Sequence, residues 1–170
     1  MSDTIPNLGG ASRIYAVFGD PVAQVQTPTL INPMFAAKGV DLYAVPFHVT
    51  RENFEAAWHV FAAMDNVAGI GVTVPHKIAA ARLCDELTPA AAAVGAVNSI
   101  QRRGDGSMHG ALFDGLGFVR GLAGNRGRLA GASVLLVGAG GAGRAIAHAL
   151  AGEQIGRLSV IDVDDGAVEF

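Results

Sequence analysis

Gly138, Gly140 and Gly143 are spaced Gly-x-Gly-x-x-Gly. They follow an apolar, β-branched run at Ser133–Val137 and precede an Ala-rich helical pattern. Strand, tight turn and helix in that order make the phosphate-binding turn of a dinucleotide fold. Gly138 lets the chain turn, Gly140 lets backbone approach a pyrophosphate, and Gly143 lets the helix pack on the strand. The helix start adds unpaired N–H groups and a positive dipole end. The segment therefore predicts a cofactor cradle at Gly138, Ala139, Gly140, Gly141, Ala142 and Gly143. A Gly-rich turn of some other α/β protein is the plainer alternative, and the strand, the helix and the following acid weigh against it. That acid is Asp162, at the end of the next strand, where a carboxylate accepts from a ribose 2′-OH and repels a phosphate. No arginine follows it in Asp162-Val163-Asp164-Asp165, and Arg144 is the nearest cation in the motif. These residues predict NAD in preference to NADP.

A second group of residues could move a proton. Gly71-Val72-Thr73-Val74-Pro75-His76-Lys77 ends a strand, and ligands of open α/β sheets sit at the carboxyl ends of strands. Pro75 is expected to open a helix with Lys77 in its first turn, where the helix dipole disfavours an ammonium. A lysine so placed can exchange protons near neutral pH, although alone it reads as a solvent-facing side chain. Asp114 follows a strand and precedes a helix, so it reads either as an N-cap or as the carboxylate that holds Lys77 and a substrate hydroxyl. The two roles are compatible. Asn98 enters an apolar strand as a turn residue or as a donor and acceptor for a ligand hydroxyl. Thr73 alone reads as a strand residue with a locally bonded hydroxyl.

The elements that must position these groups alternate. Strand-like runs fall at Ile14–Phe18, Tyr43–Val49, Gly69–Val74, Val97–Gln101, Val134–Val137 and Leu158–Ile161, with helical stretches between most of them. Thr50 could cap a helix over Arg51–Met64, whose Phe54, Trp58 and Phe61 read as core. Thr88-Pro89 starts a short helix with Pro at its first position. Arg102–Ser107 reads as a hairpin turn with solvated arginines. The pattern predicts an α/β protein: an N-terminal βα substrate domain with a mostly parallel sheet, followed by the first half of a Rossmann-type dinucleotide-binding domain. The expected division is 13–122 and 123–170, at the Gly/Arg/Asn-rich stretch 121–131. A full dinucleotide fold needs two βαβαβ halves, so the chain is expected to be a fragment or to have lost the second.

Composition narrows the functional classes. Of 170 residues, 51% are apolar and 16% charged, which supplies a core and excludes disorder. A net charge of −3 with no basic block leaves no nucleic-acid footprint. The one cysteine, Cys84, rules out an internal disulfide framework and fits a reducing cytoplasm. The scattered histidines indicate no metal site. The polar N-terminus carries no apolar signal core, and the most apolar window, 129–143, is too short to span a bilayer. Edge strands of the first domain offer a homodimer contact.

Several segments occur in a telling order: Gly19-Asp20-Pro21, Thr27-Pro28, Val72-Thr73-Val74-Pro75-His76-Lys77, Gly95-Ala96-Val97-Asn98, Asp114-Gly115-Leu116-Gly117-Phe118 and the Gly138–Gly143 turn. In these the chain resembles the shikimate/quinate dehydrogenase family, from about Ile14 onward. The resemblance implies an oxidoreductase passing a hydride between a nicotinamide cofactor and a cyclic hydroxy acid. It implies Lys77 and Asp114 as the catalytic pair, and Thr27, Thr73 and Asn98 as substrate contacts. The family's Ser-x-Ser-Pro is Val25-Gln26-Thr27-Pro28 here, its Asn before Val-Thr is Gly71, and its Asn-Thr-Asp is Leu112-Phe113-Asp114. Three such changes in one pocket, each lost hydrogen bond worth about 1–3 kcal/mol if a partner is stranded, argue for a ligand smaller or less polar on one side. NADP-using members carry Asn-Arg-Thr where this chain has Asp162-Val163-Asp164, which adds to the expectation of NAD. Two other readings stand beside this one. The first is a non-catalytic metabolite- or nucleotide-binding module. The second is a methylenetetrahydrofolate-type dehydrogenase, which Gly-Ala-Val-Asn and the Lys77/Asp114 pair disfavour.

Overall fold

The computed structural model describes residues 8–122 and 129–168. Its strands are β1 (Arg13–Gly19), β2 (Leu42–His48), β3 (Val67–Val72), β4 (Glu86–Leu87), β5 (Ser99–Arg102), β6 (Met108–Ala111), β7 (Ser133–Val137) and β8 (Arg157–Ile161). Its helices are α1 (Thr27–Ala37), α2 (Phe54–Ala62), α3 (Lys77–Leu83), α4 (Pro89–Val94), α5 (Asp114–Gly121) and α6 (Gly141–Ala151). Six strands order as β2-β1-β3-β5-β6-β4, and β7 pairs with β8. The pairs β1–β2, β1–β3 and β7–β8 are parallel, as alternation of strands and helices requires.

Two compact units result, one over Met1–His76 and Ile100–His109, the other over Lys77–Ser99 and Gly110–Phe170. This division by packing differs from the division by role expected at 123, because α5 packs on α6 within the second unit. Residues 123–128 of the expected boundary stretch lie outside the described residues.

In the first unit, Phe18 of β1 meets Phe47 and Phe61 edge-on, with ring centroids 6.1 and 5.0 Å away. Phe54 and Trp58 are buried beside them, so the aromatics at helical spacing are core. The helix is shorter than Arg51–Met64. Asn53, not Thr50, stands at its N-cap, and residues 51–53 form turns before Phe54. Asn32 of α1 reaches the edge strand β2, donating to the Ala44 carbonyl at 3.0 Å and accepting from its N–H at 2.7 Å. That amide occupies backbone groups an edge strand otherwise leaves open. The hairpin between β5 and β6 turns at Gly106, whose φ of +88° suits glycine. Arg102 is not merely solvated. It donates to the Ala62 carbonyl at 3.3 Å and to Asp65 at 3.1 Å, tying the hairpin to the end of α2.

In the second unit, Thr88 caps α4 by accepting from the Ala91 N–H at 3.4 Å, as the Thr-Pro signal predicted. Gly115 lets α5 lie close on α6: a Cβ there would strike the Ala145 carbonyl and stand 2.9 Å from the Ala149 Cβ. Val94 of α4, Val119 of α5, and Ala145 and Leu150 of α6 are buried. Leu135 and Val137 of β7 and Ile161 of β8 are exposed, as is Val163 just after β8. No described helix is long and apolar enough to cross a membrane.

Candidate active site

Lys77, Asp114 and Asn98 are brought together in the second unit, although 37 residues separate the first two. Lys77 Nζ donates to Asp114 Oδ2 at 2.5 Å, and the two side chains are only 11% and 24% exposed. Asn98 Nδ2 donates to Asp114 Oδ1 at 3.1 Å, and Asn98 Oδ1 accepts from the Phe113 N–H at 3.0 Å. Asn98 is thus a clamp that fixes the carboxylate and the start of α5 together. Both carboxylate oxygens are engaged, which holds the carboxylate's plane relative to the ammonium. The bond to Asp114 uses one of the Nζ donors.

Two expectations about these residues change. Pro75 does not open a helix. It follows a cis Val74–Pro75 bond in a turn closed by His76 N–H to the Thr73 carbonyl at 2.8 Å, and α3 begins at Lys77 itself. Asp114 is not an N-cap either, because Phe113 holds that place and Asp114 is the first helical residue. The carboxylate is therefore turned to Lys77 and Asn98, not to its own helix's N–H groups.

The turn before Lys77 is anchored by His76, a residue the spacing did not single out. Its ring is 1% exposed, stacks on Phe54 at 4.4 Å, and donates through Nε2 to the Val49 carbonyl at 2.6 Å. Burial away from water pushes the imidazole below its ordinary pKa, partly offset by that backbone bond. Thr73 stands just after β3 in the first unit, its methyl against the backbone of Gly19, where a Cβ would meet it at 2.6 Å. Thr27 is the first residue of α1.

The glycine turn takes the shape its spacing predicts. Gly138 has a φ of +103°. A Cβ at Gly143 would run into the Gly138 carbonyl, so only glycine lets α6 rise there. Gly140 caps α6 with open space around it, and Gly141 begins the helix. A Cβ at Gly141 would stand 2.8 Å from the Cβ of Lys77, so the glycine turn lies directly beside the lysine. Val137, Gly138, Ile161, Asp162 and Val163 line a cavity of about 300 Å3 at the carboxyl ends of β7 and β8. Open backbone at Gly140, a helix start and this hollow fit a dinucleotide.

Asp162, expected to accept from a ribose, bonds to the backbone of its own turn. Its Oδ2 accepts from the Ala139 N–H at 2.6 Å and its Oδ1 from the Asp164 N–H at 3.1 Å. Those bonds hold its carboxyl below the usual carboxylate range. Arg144 turns back on the same loop, donating to the Ala139 and Ala167 carbonyls at 2.8 and 3.0 Å.

Residues 17–100 match the family described as the shikimate dehydrogenase substrate binding domain. The shikimate dehydrogenase (NADP(+)) of Geobacter metallireducens is 40% identical over 85% of this chain and 50% of its own length. The Listeria monocytogenes shikimate 5-dehydrogenase, solved in complex with shikimate and NAD, is similar with a TM-score of 0.80 and 31% identity, over 94% of this chain and 55% of that one. A shikimate dehydrogenase solved in complex with NADP+ gives a TM-score of 0.82 and 30% identity, over 94% of this chain and 54% of that one. The chain spans about half the length of the curated relatives it matches. The expectation of NAD is overturned by these findings, since relative after relative is named for NADP(+) and a neighbour holds NADP+. Each oxygen of Asp162 accepts one backbone N–H, so its carboxylate caps the turn. The α/β fold, the ordered motifs and the match over most of its length agree, and the chain belongs to the shikimate dehydrogenase family.

Proposed function

We propose that this chain serves an NADP-linked oxidation of a shikimate-like cyclic hydroxy acid, with Lys77 and Asp114 as its proton-handling pair. The observation that carries the reading is the 2.5 Å Lys77–Asp114 bond beside the phosphate turn at Gly141. NADP, when bound, supplies the hydride acceptor. Lys77 in its neutral amine form takes the proton of the reacting hydroxyl and becomes the ammonium paired with Asp114, while Asp114 orients Lys77 and that hydroxyl and Asn98 keeps Asp114 in register. Thr27 and Thr73 are assigned to the substrate's remaining polar groups, and Gly138–Gly143 to the pyrophosphate. By role, 13–122 handles substrate and 123–170 handles the dinucleotide, whatever the packing division. The free, half-buried thiol of Cys84 fits a cytoplasmic setting. A homodimer formed along β2 would have to displace Asn32 from Ala44.

The test follows NADP+ reduction with shikimate and with quinate, in parallel for the chain and for Lys77→Ala. Turnover that disappears in the variant supports the assignment. Turnover that survives Lys77→Ala removes the lysine from it. Shikimate protection against heat without any turnover would favour the binding-module reading.

A further inference from the structure

Tyr15 of β1 stands opposite Gly69 of β3 in parallel register, and Val17 stands opposite Gly71. Side chains alternate along a strand and partners in register share a face, so Tyr15, Gly69, Gly71 and Thr73 lie on one face of the first unit's sheet. The contact between Thr73 and Gly19 extends that face one step further. A Cβ at Gly69 would meet Tyr15 Cδ2 at 3.3 Å. A Cβ at Gly71 would meet Cε1 at 3.0 Å, the phenolic oxygen at 3.1 Å and Cζ at 3.3 Å. The ring therefore runs along β3 from Gly69 to Gly71, with its hydroxyl toward the carboxyl end of the strand. Thr73 is the next position on that face. Two side chains are missing from β3, and one phenol fills their place.

We propose that Tyr15 is a specificity-determining contact, its hydroxyl supplying at position 71 the polar group that no side chain supplies there. The proposal rests on the substrate reading above. A phenol both donates and accepts, so it suits a ring hydroxyl of the substrate, which does the same. Gly71 is part of the device, because any larger residue presses on the ring that carries the hydroxyl.

The experiment is a ligand-observed NMR titration of the chain, Tyr15→Phe and Gly71→Ala, which reads affinities down to the millimolar range. The two probes are shikimate and cyclohex-1-ene-1-carboxylate, which keeps the ring and acid but lacks the hydroxyls. Tyr15→Phe is expected to weaken shikimate about tenfold, the worth of one hydrogen bond, and to leave the deoxygenated acid within about twofold. Gly71→Ala is expected to reproduce the selective loss by moving the phenol. Unchanged shikimate affinity in Tyr15→Phe, or an equal fall for both probes, overturns the role of Tyr15 while leaving the substrate class standing. Failure of the unaltered chain to bind shikimate overturns the substrate reading, and the proposal with it.

Discussion

Replacing Asp114 with alanine should destabilise the protein more than replacing Asp114 and Lys77 together. In the native pair Nζ lies 2.5 Å from Oδ2 and both side chains are largely buried. Removing one member of a buried pair strands a charge and costs about 3–5 kcal/mol, whereas replacing both with apolar groups is near neutral. The pair keeps some exposure, and solvent screens it in proportion. The excess cost of Asp114→Ala over Lys77→Met/Asp114→Ala is therefore set at about 2 kcal/mol. Other losses cancel in that comparison. The favourable acid in the first turn of α5, worth about 0.3–1 kcal/mol, disappears from both proteins. The Asn98 amide loses its acceptor in both as well. With a urea slope of about 2 kcal/mol per molar, the double variant should unfold roughly 1 M later than the single one. The assay is urea unfolding followed by circular dichroism at pH 7. Coincident midpoints would show that Lys77 does not depend on Asp114, and the positioning argument would fail.

His76 should make stability fall in mild acid. Its folded pKa lies below the unfolded value, so the unfolded chain binds the extra proton. The contribution is complete above about pH 6.5 and is lost as pH falls through the unfolded and then the folded pKa. The urea midpoint of His76→Gln should accordingly drop less between pH 7 and pH 5 than that of the unaltered chain, and parallel curves would refute the burial argument. Cys84, pushed up to about 12 by desolvation with Asp85 adding to it, should react with a disulfide reagent at pH 8 roughly fifty times more slowly when folded than in urea, the lost thiolate fraction being partly offset by the greater nucleophilicity of a more basic thiolate. Equal rates would show an accessible thiolate. Gly141→Ala places a methyl 2.8 Å from the Lys77 Cβ and 3.2 Å from its Cδ, which pushes α6 and the lysine apart. NADPH affinity, read by fluorescence titration, should fall about tenfold, and an unchanged value would mean that the turn tolerates the displacement.

Local rules determined much of this protein directly from its residues. The Gly138–Gly143 turn was legible because one backbone conformation demands glycine at fixed offsets. Thr88-Pro89 was legible because a cap and a proline at the first helical position act within one turn of chain. The aromatics of α2 were legible because their spacing leaves one face for a core. Tertiary structure decided the rest. Asp114 reads equally as a cap or as a partner of Lys77, and only packing that carries α5 to α3 settles which groups its oxygens face. Asp162 sits where a ribose acceptor belongs, yet the fold turns both its oxygens onto Ala139 and Asp164, a geometry that no spacing encodes. His76 lies within its motif as an unremarked residue, and its burial against Phe54 depends on a helix that begins 22 residues earlier. The phenol of Tyr15 over Gly69 and Gly71 needs two strands placed side by side, 54 residues apart between Tyr15 and Gly69, before the missing side chains have any meaning. Short-range sterics and hydrogen bonding write themselves into adjacent residues, whereas the direction in which a polar side chain spends its bonds is fixed only when distant segments meet.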